Sequence, residues 1–112
     1  NTIKWLEKQN KSLIISENIN DIAKNSDCIM TDTWISMGDQ KNKTVDHFKP
    51  FQVNSDLMSL ANKNVIFMHC LPAYRGMEVT DEVIDSRSSV VFDQAENRVH
   101  AQKSIIKYCY KS

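Results

Sequence analysis

The stretch VIFMHCLP, residues 65–72, decides the fold of this 112-residue chain. Its first four residues form an uninterrupted apolar run, which is typical of a parallel strand buried on both faces. The residues that follow would then lie at the carboxyl end of that strand, where open α/β sheets bind their ligands. We therefore predict a parallel sheet with a site at its edge.

Short apolar runs alternate along the rest of the chain with polar, helix-periodic stretches. Ile19 and Ala23, for example, recur at helical spacing, and Ser55 and Thr80 are candidate helix N-caps. Strands separated by helices imply right-handed crossovers and a parallel sheet. We predict an α/β fold: a parallel, doubly wound (Rossmann-like) sheet of about four strands flanked by helices, forming part of a larger domain. The predicted strands are residues 12–16, 28–31, 65–68 and 89–92, and the predicted helices are residues 3–9, 18–25, 40–48, 55–61, 80–84 and 96–110.

Composition and charge exclude several classes of function. The chain is 41% hydrophobic and 25% charged, and its 14 basic residues balance its 14 acidic ones. Proteins that bind nucleic acid or anionic membranes carry a basic surplus, which is missing here. No apolar run approaches the roughly 20 residues that span a bilayer. We predict neither a nucleic-acid nor a membrane partner.

The cysteines and the start of the chain add two expectations. Cys28, Cys70 and Cys109 are odd in number and far apart, which argues against a disulfide framework and suits a reducing compartment. No CxxC or HxxH spacing occurs, so we expect no structural zinc. The chain opens at Asn1 without an initiator Met, and we expect it to be part of a longer polypeptide.

A first polar cluster, DTWISMG at residues 32–38, follows the predicted strand 28–31. Taken alone, Asp32 reads as a turn or helix cap, and Trp34 as a packing residue. The loop at Ser36, Met37 and Gly38 adds a hydroxyl and a glycine that permits close backbone approach. A carboxylate facing such a loop suits an amino-acid ligand.

A second cluster, HCLP at residues 69–72, ends the strand that opened this section. A lone Cys70 is more often a small buried hydrophobe than a reactive thiol, and a lone His69 is usually structural. Consecutive strand residues face opposite ways, so their adjacency does not make them a catalytic pair. Pro72, however, lacks a donor and can hold a cis bond, leaving the carbonyl of Leu71 turned outward. A thiol beside an outward carbonyl suits a small NH₂-bearing group.

A third cluster, residues 93–98, opens the last predicted helix. Arg98 could simply pair with Glu96 or Asp93. An arginine in the first turn of a helix opposes the helix dipole, which favours another role for it. Its planar set of donors suits a carbonyl or phosphate oxygen.

These three clusters carry a family resemblance. Together with RGMEVTDEV (residues 75–83) and ENRVHAQK (residues 96–103), DTWISMG and HCLP resemble ornithine carbamoyltransferase along essentially the whole chain. The cysteine in HCLP separates this branch from the aspartate carbamoyltransferases, which read HPLP there. The resemblance implies a two-domain transferase that converts carbamoyl phosphate and ornithine into citrulline and phosphate.

The resemblance also implies roles for individual residues. Asp32, Ser36 and Met37 would bind ornithine. Cys70 and Leu71 would lie where ornithine meets carbamoyl phosphate, and Arg98 would contact carbamoyl phosphate. The implied catalytic residues are Asp32, Cys70 and Arg98, and the implied supporting residues are Gly38, His69 and Pro72.

The attacking δ-amine of ornithine must be neutral, and a neighbouring carboxylate would raise its pKa. We therefore place Asp32 at the α-ammonium end of ornithine and Cys70 beside the δ-nitrogen. Phosphate is already a competent leaving group, so we expect no metal and no organic cofactor.

The family's phosphate-binding STRT motif, its HPxQ motif and a further ornithine-binding asparagine are not found in residues 1–112. We therefore expect this chain to be the C-terminal part of the ornithine-binding domain, without the carbamoyl phosphate domain and inactive alone. Family membership further implies a homotrimer working in the cytoplasm or, alternatively, the mitochondrial matrix.

Two other functions are compatible with the sequence. The chain could belong to a carbamoyltransferase for a related amine, such as an acylated ornithine or putrescine. It could also be a non-catalytic binding module of the same fold. Free ornithine is favoured by the loop at residues 36–38, and catalysis by the intact set of family residues.

Overall fold

Two short parallel strands and the helices around them make up the fold. The structure is a computed structural model, and it describes residues 4–6, 9, 13–35 and 44–111. Residues 4–6 are helical, in agreement with the helix predicted at 3–9. The remaining elements are helix α1 (Ile19–Ala23), strand β1 (Cys28–Thr31), a 3₁₀ helix (Asp46–Phe51), helix α2 (Ser55–Ser59), strand β2 (Ile66–His69), helix α3 (Asp81–Ile84) and helix α4 (Val91–Lys111).

Strands β1 and β2 pair in parallel, with Cys28 opposite Ile66 and Thr31 opposite His69. Helix α1 precedes β1, α2 lies between the two strands, α3 follows β2, and α4 packs against β2. A small parallel sheet flanked by helices confirms the predicted α/β class and its partial, Rossmann-like character. The register matters for function because it brings the carboxyl ends of both strands level.

The hydrophobic core lies on one face of this sheet. Ile29 and Phe67, which are partners in the register, point into it, and Phe67 is fully buried. On the opposite face Met30 is 67% exposed and Ile66 is 38% exposed. Strand β2 was expected to be buried on both faces, but within the described residues only one of its faces is buried. The core side chains are Ala23, Ile29, Val53, Leu57, Val65, Phe67, Val79, Val83, Ile84 and Val91.

The fourth predicted strand, residues 89–92, is wrong as a strand. Phe67 donates its N–H to the Ser88 carbonyl and accepts from the N–H of Val90, which makes one bridge beside β2. Helix α4 then begins at Val91, five residues before the predicted start. The apolar run is divided because Val91 faces the core from the first helical turn, whereas Phe92 faces outward.

Smaller differences concern caps and short segments. Asn54, not Ser55, caps α2, because its side-chain oxygen accepts from the N–H of Leu57 at 2.9 Å. Thr80 stands at the N-cap position of α3 without a side-chain capping bond. Residues 13–16 of the first predicted strand have no regular structure, and Ile14 is 80% exposed. The described part of the helix predicted at 40–48 is the beginning of the 3₁₀ helix.

Helix α4 projects from the rest of the fold. After its first turn its side chains are exposed as far as residue 110. None of the helices in the described ranges combines the length and the apolar character needed to cross a membrane.

Candidate active site

The ends of β1 and β2 bring Asp32 and Cys70 together. The register that pairs Thr31 with His69 continues by one residue, so Asp32 lies opposite Cys70. The Cys70 thiol donates to Oδ1 of Asp32 at 3.0 Å. Both side chains are exposed at the carboxyl edge of the sheet, where parallel α/β sheets bind ligands.

This contact changes the electrostatics of both groups. The hydrogen bond from Cys70, followed by one from the N–H of Thr33 at 2.7 Å, lowers the pKa of the Asp32 carboxyl. In turn the hydrogen bond to Asp32, then burial, then the negative charge of Asp32 raise the pKa of the Cys70 thiol. The thiolate is the nucleophilic form of cysteine. The contact with Asp32 therefore favours the neutral thiol of Cys70 over its thiolate.

His69 lies on the other side of β2 from Cys70, as the alternation of strand side chains predicts. It is fully buried, whereas Cys70 is exposed. Nδ1 of His69 accepts a hydrogen bond from the N–H of Leu71 at 2.9 Å. A ring nitrogen that accepts carries no proton, so the neutral ring has its proton on Nε2.

The turn after Cys70 has an unusual backbone. Leu71 adopts a φ of 54°, in the left-handed region that disfavours residues with a side chain, and its peptide bond to Pro72 is cis. Non-glycine residues in this region cost about 1–2 kcal/mol, so the surroundings must hold them there. The hydrogen bond from the N–H of Leu71 to His69 is one such restraint.

Two residues with contacts near this turn, Glu78 and Gln94, were not singled out from the sequence. Glu78 is fully buried; its Oε1 accepts from the N–H of Tyr74 at 2.6 Å and lies 3.3 Å from Nε2 of His69. The His69–Glu78 contact is close but not aligned as a full hydrogen bond. Gln94, in the first turn of α4, accepts through Oε1 from the backbone N–H of His69 at 3.0 Å. Nothing in the local pattern marks Glu78 as buried, since it is a charged residue in a turn and such residues are usually exposed.

Arg98 faces the same region from α4. Its positive charge lowers the pKa of the Cys70 thiol, against the stronger effects of Asp32. Because α4 begins at Val91, Arg98 stands in the second turn of the helix, so the argument from an opposed helix dipole was wrong. The assignment of Arg98 to the site stays a prediction.

The remaining predicted residues have different outcomes. Ser36, Met37 and Gly38 lie outside the described residues. Trp34 is half-buried and stacks on Phe48 with ring centroids 6.0 Å apart, in keeping with a packing role. Within the described ranges, no group of three or more His, Cys, Asp or Glu side chains is placed to hold a metal ion.

Fold and site together define an α/β ligand-binding portion of a protein. Its polar residues gather at the carboxyl ends of two adjoining parallel strands, and a restrained turn lies beside them. The carboxylate, the thiol and the cation are of the size and character that bind a small polar metabolite.

Comparison with known proteins identifies the family. The model of the aspartate/ornithine carbamoyltransferase Asp/Orn binding domain matches residues 2–109, and the chain belongs to this family. It is 53% identical over 106 residues to the ornithine carbamoyltransferase of Rhodopseudomonas palustris, covering 94% of this chain and 34% of that protein. It is also 53% identical over 110 residues to the ornithine carbamoyltransferase of Methanobrevibacter smithii, covering 96% and 36% respectively.

A solved structure gives the same result. The ornithine carbamoyltransferase of Pyrococcus furiosus superposes with a TM-score of 0.81 at 48% identity, covering 93% of this chain and 35% of that one. The fold and the family resemblance inferred from the sequence are thereby confirmed. The chain spans about a third of the length of the relatives that it matches.

Proposed function

We propose that this chain is the ornithine-binding part of a transferase that moves the carbamoyl group of carbamoyl phosphate to the δ-amine of L-ornithine, giving L-citrulline and phosphate. The observation that carries the proposal is the Asp32–Cys70 pair, joined at 3.0 Å at the carboxyl edge of the sheet. Relatives about half identical to the chain bear the name ornithine carbamoyltransferase, which supports this choice of substrate.

Asp32 is assigned to the α-ammonium group of ornithine. Oδ1 of Asp32 already accepts from Cys70 and Thr33, and within the described residues Oδ2 accepts from no donor. An ammonium group is well suited to such an oxygen because charge-assisted hydrogen bonds are the strong ones. Ser36 and Met37 are assigned to the other polar groups of the amino-acid end, with Gly38 allowing the loop to approach.

Cys70 is assigned to the neighbourhood of the δ-nitrogen. An amine with a pKa of about 10.4 is only about one-thousandth neutral near pH 7.4, a cost of roughly 4 kcal/mol. A carboxylate beside the δ-amine would raise the pKa of the amine and increase the cost of deprotonating it, whereas a neutral thiol does not. Because the contact with Asp32 favours the neutral thiol of Cys70, we propose direct attack of the amine on the carbamoyl carbon, without a carbamoyl–cysteine intermediate.

The carbamoyl group is assigned to Cys70, Leu71 and Arg98. Outward carbonyls of the turn would accept from its NH₂, and the Arg98 guanidinium would stabilise the oxygen on which negative charge develops. Pro72 is assigned a supporting role in the turn. Phosphate leaves without help from a metal or an organic cofactor, and its binding is assigned to the part of the relatives' length that this chain does not span.

The wider setting is proposed on family grounds alone. Citrulline formation would place the complete enzyme in arginine biosynthesis or the urea cycle. The complete enzyme would be a homotrimer of the cytoplasm or the mitochondrial matrix.

The test is a chimaeric enzyme in which residues 2–109 replace the matching segment of the Pyrococcus furiosus relative. We expect citrulline formation from ornithine with a higher kcat/KM than for an acylated ornithine or putrescine. Asp32→Asn should raise the KM for ornithine roughly 10- to 100-fold, whereas Cys70→Ala should chiefly lower kcat. Asp56→Asn, on the exposed face of α2, is the matched control.

Several outcomes would count against the proposal. A large fall in kcat with an unchanged KM for Asp32→Asn would remove its role as anchor. A preference for another amine would establish the related carbamoyltransferase instead, and a folded but inactive chimaera would favour the binding module. The 112-residue chain alone should form no citrulline, so phosphate release by it would contradict the assignment of phosphate binding elsewhere.

A further inference from the structure

We infer that Glu78, acting through His69, is a positioning residue for the turn at Cys70 and Leu71. The inference rests on the proposed function, because that turn is where the carbamoyl group is assigned. Glu78 and His69 are both fully buried and are therefore kept from direct contact with a substrate at the exposed edge. Their effect would pass through the backbone of the turn.

A continuous set of contacts links the carboxylate to the turn. Oε1 of Glu78 lies 3.3 Å from Nε2 of His69, and Nδ1 of the same ring accepts from the N–H of Leu71 at 2.9 Å. The second contact requires the proton of the neutral ring to be on Nε2. A carboxylate facing Nε2 favours that tautomer, since the partner of one ring nitrogen decides the state of the other. Glu78 therefore selects the ring state that can hold Leu71.

Holding the N–H of Leu71 also orients the carbonyl of Cys70. Within the described residues, the peptide bond of Leu71 to Pro72 is the cis bond, so the bond between Cys70 and Leu71 is trans. In a trans peptide the N–H and the C=O point in opposite directions. Because the N–H of Leu71 points at a buried ring, the Cys70 carbonyl is turned away from that ring. That carbonyl belongs to the residue whose thiol contacts Asp32.

The side chain of Glu78 can be changed without removing the backbone restraints of its segment. The Glu78 carbonyl accepts from the N–H of Val53 at 2.9 Å, and the N–H of Thr80 donates to the carbonyl of Val53 at 3.0 Å. Arg75 adds hydrogen bonds to Asp81 and Asp85. These contacts do not involve the carboxylate and hold the segment in place. Glu78→Leu therefore removes the contact with His69 and the bond accepted from the N–H of Tyr74, and the His69 variants test the first of these separately.

The first test is a spectroscopic one on the 112-residue chain. Imidazole ¹⁵N shifts should report the Nε2–H tautomer for His69. Glu78→Gln should keep it, because the amide oxygen can occupy the position of Oε1, whereas Glu78→Leu should give a mixture of tautomers. Glu96→Leu, which removes the exposed carboxylate near His100, should leave His69 unchanged. A fixed Nε2–H tautomer in a folded Glu78→Leu chain would overturn the inference.

The second test uses the chimaeric enzyme defined above. Glu78→Leu should lower kcat roughly 100-fold, the effect of misplacing a reacting group by about 1 Å, with the KM for ornithine within about twofold. Glu78→Gln should recover most of that loss. His69→Asn, whose amide oxygen can stand in for Nδ1, should be more active than His69→Leu. Equal losses in the two variants at each position, or a change confined to the ornithine KM, would overturn the inference.

The two tests also separate this inference from the proposed function. An inactive chimaera with the native segment would count against the proposed function, while the ¹⁵N shifts would still decide whether Glu78 sets the state of His69. If Glu78→Leu fails to fold, the comparison of His69→Asn with His69→Leu still tests whether an acceptor at Nδ1 is required.

Discussion

Two His–Glu pairs among the described residues have similar separations but opposite environments. His69 and Glu78 are 3.3 Å apart after β2 and fully buried. His100 and Glu96 are 3.6 Å apart on α4, with side chains 64% and 74% exposed. The first pair restrains the backbone of Leu71, whereas solvent can satisfy every polar group of the second. The same two residue types therefore contribute differently to stability, because a polar group left without a partner costs more free energy when it is buried.

The same contrast holds for the regions that carry the two pairs. The segment from β2 to α3 contains much of the core and several backbone bonds between distant residues. The outer part of α4 is exposed although it carries large apolar side chains, and its order depends on bonds within the helix. Cys70 of the candidate site lies in the first region and Arg98 in the second, whereas Asp32 follows β1. The exposed apolar residues of α4 are Phe92, Val99, Ile105, Ile106, Tyr108 and Tyr110.

The largest expected difference is between two phenylalanines. Phe67 of β2 is fully buried and Phe92 of α4 is 75% exposed. Phe67→Ala should lower the free energy of unfolding by about 3–5 kcal/mol, because it leaves a cavity in the core. Phe92→Ala should change it by no more than about 0.5 kcal/mol. Urea unfolding followed by circular dichroism measures both, and similar losses would mean that α4 is packed more closely than its exposure indicates.

The next difference is between the two histidines. His69→Leu leaves the N–H of Leu71 without its acceptor and Glu78 without its imidazole neighbour, at a cost of about 1–3 kcal/mol for each buried group left unpaired. His100→Leu should stay within about 0.5 kcal/mol, as exposed substitutions do. The same urea titration compares them. A His69→Leu chain as stable as the parent would mean that the buried pair restrains nothing.

The strands themselves could be predicted from sequence. Strand β1 has the predicted bounds, and β2 begins and ends one residue later than the strand predicted at 65–68. Their clear ends also identified Asp32 and Cys70 as residues of one sheet edge. Sequence could not supply the register, because a shift by one residue changes the partner of every side chain. The direct contact between Asp32 and Cys70 therefore emerged only with the structure.

The start of α4, the burial of Glu78 and the helical position of Arg98 could not be predicted from the sequence, each for a different reason. The apolar run at residues 89–92 fits a strand or the buried side of a helix start equally well, and tertiary packing chose the helix. The burial of Glu78 depends on His69, nine positions earlier across a turn, and no periodic pattern spans such a turn. The helix start used to argue for Arg98 was wrong, and the charge of Arg98 acts on Cys70 from the second turn of α4.

The last prediction tests the Asp32–Cys70 pair at the strand ends. Both side chains are exposed, so the substitution should change stability least, and the measurement is the pKa of the Cys70 thiol. Asp32→Asn removes the charge that, with its hydrogen bond, raises the pKa of the Cys70 thiol. That pKa should fall, so the pH profile of Cys70 alkylation by iodoacetamide should move to lower pH, because the thiolate is the reacting form. Peptide mass spectrometry distinguishes Cys70 from the exposed free thiols of Cys28 and Cys109, whose profiles should stay fixed.

Asp56→Asn is the matched control for this measurement, because Asp56 is an exposed carboxylate that does not contribute to the pKa of Cys70. An unchanged Cys70 profile in Asp32→Asn would mean that the 3.0 Å contact does not persist in solution. A shift to higher pH would mean that Asp32 promotes ionisation of the thiol. Either result would remove the physical reason for treating Cys70 as a neutral group, and with it the argument for direct carbamoyl transfer. A shift to lower pH for Cys70 alone would show that the Asp32 carboxylate, at the end of β1, favours the neutral thiol on which the proposal of direct carbamoyl transfer depends.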